Sequence, residues 1–128
     1  MDYVRSLLLI AVGGAVGSVA RFLFSSFIHL FFDRFFPMGI LMVNVLGCFL
    51  MGYLSILLFE ELRYAAELRS LLLIGILGGF TTFSTFSLDT INLIEGGHWL
   101  AASLNIVLSI VLCLVATGVG VYAGKIIG

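Results

Sequence analysis

Four long apolar runs, at about residues 6–31, 38–59, 71–94 and 99–124, leave this chain one kind of surrounding to fold in. A helix needs about 20 mostly apolar residues to cross a bilayer, and each run is long enough. Composition agrees: 62% of the 128 residues are hydrophobic and 10% are charged, against about 25% charged in ordinary soluble domains. The first run has small residues near Ala15 and Ala20, as a signal peptide does. It continues past Arg21 to Phe32, however, too far for a cleaved apolar segment. The expectation is an all-α integral membrane protein of four transmembrane helices, with residues 1–128 forming one domain.

The third run predicts a break. From Gly75 to Ser87 it reads GILGGFTTFSTFS, a glycine pair followed by five hydroxyl side chains interleaved with phenylalanines. Each glycine weakens a helix by about 1 kcal/mol relative to alanine. Irregular backbone at membrane depth survives only when buried in protein or lining a wet cavity. The stretch therefore predicts a discontinuous third helix built around an ion or small polar ligand; the plainer alternative is a tight glycine packing face. With the break near Gly78–Thr81, carbonyls ending the first half-helix suit a cation, and amides opening the second half favour an anion. Phe83 and Phe86, three apart, project from nearby positions of one face. Ring edges carry partial positive charge and contact a small anion without holding it tightly.

The other runs contribute neutral groups. Gly13 and Gly17 on the first helix, and Gly120 and Gly124 on the fourth, have the spacing that suits close helix approach. Arg21, inside the first run, is read as a structural anchor, and His29 as an interfacial residue. In the second helix the only strongly polar group is Asn44, either interhelical glue or a pore-facing amide donor. On the fourth helix Asn105, Ser109, Cys113 and Thr117 recur every four residues as one polar stripe. Ser84 and Thr85 add neutral donors. Cys48 and Cys113 lie singly in apolar runs, as small packing residues or pore-lining thiols, and no disulfide scaffold or metal-ligand spacing is present. Glu60, Arg63 and Glu67 have the spacing of weak exposed ion pairs on a short helical continuation. Asp89, near the end of the third helix, is either a vestibule carboxylate or an interfacial one. The net charge of −1 and scattered basic residues offer no nucleic-acid surface, and no nucleophile–base pair suggests an enzyme.

Three motifs carry a family resemblance. GGAVGSVAR (Gly13 to Arg21), VNVLG around Asn44 and GGFTTFSTFS (Gly78 to Ser87) resemble those of Fluc-type (CrcB) fluoride channels, the last being the most specific. The resemblance covers essentially the whole chain. It implies an antiparallel, dual-topology dimer with two fluoride pores in a prokaryotic cell membrane, exporting fluoride passively and conferring fluoride resistance. By motif position, Phe83 and Phe86 would be the pore phenylalanines and Asn44 the pore amide. Asn105, Ser109, Cys113 and Thr117 would fall on the family's polar track, where Cys113 replaces the more usual hydroxyl with a weaker donor. The backbone carbonyls of Gly78 and Thr81 from both subunits would hold a structural sodium ion on the dimer axis.

With the amino terminus inside, Arg5, Arg63, Arg69 and Lys125 fall on the cytoplasmic side and Arg34 alone outside. That bias favours one orientation, and it keeps a heterodimer with an oppositely oriented homologue beside the homodimer. The rival function is a proton-coupled exporter resembling the small multidrug resistance proteins, which needs a membrane-embedded carboxylate. The first helix offers none.

Overall fold

The computed structural model describes residues 2–59 and 65–127. Among these residues every regular element is helical. Four helical segments are long and apolar enough to cross a membrane: Tyr3–Ile28, Met38–Leu57, Ala65–Glu95 and Trp99–Ile127. Tyr3–Ile28 is α1 and Met38–Leu57 is α2. The third span divides into α3, residues 65–80, and α4, Phe83–Glu95; Trp99–Ile127 is α5. The protein is thus a multi-pass membrane protein by the length and composition of its helices.

Helix ends follow local chemistry. α1 begins at Tyr3, earlier than its apolar run, because the Asp2 carboxylate accepts a hydrogen bond from the Val4 N–H at 3.3 Å. Between α1 and α2 the His29 ring ties the loop to the next helix. Its Nε2 accepts from the Gly39 N–H at 3.1 Å, which leaves the proton on Nδ1 to donate to the Asp33 carbonyl at 3.1 Å. α2 follows Pro37 directly. The ion pairs expected of Glu60 and Arg63 lie outside the described residues. Helix resumes at Ala65, widens to π-helical pitch over Arg69–Leu77 and closes with Gly78–Phe80. Arg69 donates from Nη1 to the Leu58 carbonyl at 2.7 Å, a cation placed at the negative end of α2.

Two glycine seams hold the bundle. Lipid tails are as apolar as leucine, so membrane helices associate through close packing rather than through exclusion of water. A Cβ at Gly17 would strike the Ile76 carbonyl, and one at Gly13 the Leu71 carbonyl, so α1 and α3 meet backbone to backbone. A Cβ at Gly52 would strike the Thr117 carbonyl, and one at Gly120 the Phe49 carbonyl. Contacts climb together, from Phe49 beside Gly120 to Ile56 beside Gly124, so α2 and α5 run parallel. These two pairs make the most extensive contacts in the molecule.

Candidate functional site

The third span breaks at Thr81 and Thr82, whose backbones are extended (φ −85°, ψ 154° and φ −153°, ψ 121°). The expectation placed the break at Gly78–Thr81. Gly78 instead stays helical at φ −62°, ψ −38°, and Gly79 serves packing, since a Cβ there would lie 2.8 Å from the Gly14 carbonyl oxygen. The glycine pair brings the half-helix against α1, and the two threonines after it make the turn.

Asn44 staples that turn. Its Nδ2 donates to the Thr82 carbonyl at 3.0 Å, and its Oδ1 accepts from the Thr82 N–H at 2.9 Å. Asparagine is the right residue here because one amide offers donor and acceptor side by side. Both backbone groups of a buried residue are thereby satisfied. Thr82 also caps α4, its Oγ1 accepting from the Thr85 N–H at 3.2 Å. These two bonds divert the ordinary i+4 donors of two particular carbonyls. The Gly78 carbonyl loses the Thr82 N–H to Asn44, and the Thr81 carbonyl loses the Thr85 N–H to the Thr82 hydroxyl.

Beside the break lies a cleft of about 340 Å³ lined by residues of α2, the turn, α4 and α5. Phe83 and Phe86 stand in it with ring centroids 5.4 Å apart and planes inclined by 43°, Phe83 being 77% exposed. Asn44, Thr81, Ser109 and Cys113 line it as well, together with Cys48 and Thr82. Among the described residues no charged side chain contributes to its wall.

The polar stripe of α5 divides between two duties. Ser109 and Cys113 line the cleft. Asn105, only 2% exposed, donates to the Thr90 hydroxyl at 2.9 Å and accepts from Ser109 at 3.4 Å. Thr117 donates to the Cys113 carbonyl at 2.9 Å, within its own helix. Ser84 and Thr85 lie next to the cleft, each 3.2 Å from the Thr82 hydroxyl. Arg21 is half-buried on α1 and does not line the cleft. Asp89 borders a separate polar hollow of about 360 Å³, shared with Arg34, Asn92 and His98.

Two residues at the site were not singled out for their roles by the sequence. Thr82 is both cap and partner of Asn44; its position just ahead of a helical run was the available signal. Thr90 links Asn105 to the Phe86 carbonyl, to which it donates at 2.8 Å. Cys48, read from the sequence as a packing residue or a pore-lining thiol, lines the cleft together with Cys113.

A sequence profile described as CrcB-like protein, Camphor Resistance (CrcB), matches residues 8–121. The chain belongs to the CrcB family. A relative from Methylococcus capsulatus named Fluoride-specific ion channel FluC is 51% identical over 115 residues, 90% of this chain. This chain spans 50% of the length of that relative. CrcB relatives of the same name from Magnetococcus marinus and Coxiella burnetii are 46% and 48% identical. They match 92% and 94% of this chain and 96% and 98% of their own lengths. Proteins so named are ion channels rather than enzymes.

Proposed function

We propose that this CrcB chain forms a fluoride-selective channel that lets fluoride leave the cell passively. The observation that carries the reading is the cleft at the broken third span, where two phenylalanines meet neutral hydrogen-bond donors and, among the described residues, no charge. A conducting site must bind its ion well enough to admit it and weakly enough to release it. Ring edges of Phe83 and Phe86 supply weak positive potential. The Cys113 thiol and the second Nδ2 hydrogen of Asn44 supply short-range donors, and the Ser109 hydroxyl adds one on rotating away from Asn105. Hydrogen fluoride crosses membranes and dissociates in a more alkaline cytoplasm, leaving the anion trapped. An inside-negative potential then favours its exit by about 2.3 kcal/mol per charge for each 100 mV.

The working unit in this proposal is an antiparallel, dual-topology dimer with two pores, in a prokaryotic cell membrane. A lone chain would present Asn44, Ser109 and Thr82 along a cleft open to lipid, which cannot satisfy polar groups. A second copy related by a twofold axis would cover the cleft with an identical surface. An oppositely oriented homologue would meet the same need, and the arginine and lysine bias of the loops keeps that variant beside the homodimer.

The Gly78 and Thr81 carbonyls fit a sodium ion, because their usual helical donors are committed elsewhere and a hard cation prefers oxygen ligands. In a dimer both copies would present this pair at the axis. The bound ion would supply a fixed positive charge that holds the two breaks together. The rival exporter finds no carboxylate in α1.

The test is fluoride release from liposomes containing the purified chain, with the voltage clamped by a potassium ionophore and chloride-loaded vesicles in parallel. Rapid fluoride release with negligible chloride release is expected. Equal release of both anions would overturn the selectivity. No release from the chain alone, or after co-expression with a paired homologue, would overturn the channel.

A further inference from the structure

Cys48 and Cys113 meet at one level of the cleft for reasons built into the α2–α5 seam. The Gly52 contact with the Thr117 carbonyl fixes the register of these parallel helices. Cys48 lies one turn before Gly52, and Cys113 lies one turn before Thr117. The two thiols therefore stand at one level of the same wall. Both are free and partly exposed, and both line the cleft that holds Phe83 and Phe86.

We propose that Cys48 and Cys113 form a two-thiolate binding site for a soft, two-coordinate d10 cation such as Hg(II), and that the bound metal closes the cleft. Thiolates select soft metals over hard ones. The surrounding wall rules out the usual competitors: calcium takes six to eight oxygen ligands, and structural zinc needs four nitrogen or sulfur ligands. Among the described residues no three His, Cys, Asp or Glu side chains converge on one point. A linear ion needs only two ligands, and two are present. Binding is an exchange without electron transfer. Each S–H bond breaks, one metal–sulfur bond forms at each sulfur, and two protons leave to solvent or buffer. The bridge, neutral once both protons have left, then spans α2 and α5 beside Asn44 and Ser109, where it fills the space of the cleft.

The site itself stands on the two thiols; the closing of the cleft rests additionally on the channel reading. The detergent-purified full chain is loaded with one equivalent of Hg(II), then challenged with increasing glutathione, and retained metal is counted by intact-protein mass spectrometry. Two tethered ligands hold an ion more tightly than either alone by effective concentration. The wild type is expected to retain one mercury per chain at roughly 100-fold higher glutathione than Cys48→Ser or Cys113→Ser. Equal retention in either single variant would overturn the pair, because the metal would then sit on independent thiols. Cys48→Ala and Cys113→Ala, tested beside the serine variants, guard against an effect of the new hydroxyl. In liposomes, Hg(II) is expected to stop fluoride release and an excess of a dithiol to restore it. Retained mercury with undiminished release would overturn the closing of the cleft. Absence of release before any metal is added would instead count against the channel reading, with metal retention still deciding the site.

Discussion

The two halves of the third span have opposite surroundings. In α3 the backbone is clamped against α1, where Gly13, Gly17, Gly75 and Gly79 leave no room for side chains between the helices. In α4, Thr90 and Leu93 are buried, while Phe83, Leu88 and Ile91 stay exposed and point away from the chain's own core. A straight helix would carry one set of faces through the membrane. The break at Thr81–Thr82 allows the first half to be completed by its own chain and the second to keep a face for something else. The cost is two diverted carbonyls and two extended residues, and Asn44 offsets most of it.

The largest predicted effect comes from removing that staple. Asn44→Leu leaves the Thr82 N–H buried without a partner, at about 1–3 kcal/mol, and takes from the Thr82 carbonyl the donor it has besides its own helix. Unfolding by denaturing detergent is expected to shift strongly, and fluoride release to vanish. An unchanged midpoint would mean that the turn holds itself and that Asn44 serves only the cleft.

Next in size is damage to the clamped half. Gly17→Leu drives a side chain into the Ile76 carbonyl, and overpacking of this kind costs about 1–3 kcal/mol. Because α4 does not touch Gly17, the loss is expected in stability and not in the relative permeation of fluoride and chloride. A selective loss of fluoride passage in a protein of normal stability would merge the two halves into one functional unit and break the comparison.

Thr82→Ala sharpens it further. The backbone bonds to Asn44 remain, while the α4 cap is lost, for about 1 kcal/mol. The turn that presents the Thr81 carbonyl then loses one of its supports. Sodium dependence of stability, measured against potassium as the control salt, is expected to weaken in this variant. The same dependence in both proteins would separate the cap from the cation proposal.

How legible all this was in the sequence depends on distance along the chain. The four spans were plain from their apolar length, and the glycine–hydroxyl stretch marked the third one as broken. The turn fell one step later than expected because glycine can serve either flexibility or close packing. Gly79 does the second here, packed against Gly14. Hydrogen bonds across 38 residues between Asn44 and Thr82, or across 15 between Asn105 and Thr90, leave no periodic trace. The four-residue stripe of α5 was correctly seen as polar, yet spacing on one helix does not reveal what lies opposite each rung. Cys113 meets Cys48 and the cleft, whereas Thr117 bonds within its own helix. Nothing in residues 69–77 marks in advance the wide pitch they adopt.

The account places the work of the protein on the unclamped half, at Phe83 and Phe86. The decisive measurement is therefore fluoride release from liposomes carrying Phe83→Ile or Phe86→Ile, with cross-linking to check that the dimer still assembles. The account predicts an assembled dimer whose fluoride release is greatly impaired in both variants. Release at the wild-type rate in both would remove the phenylalanines from the ion's path and contradict it.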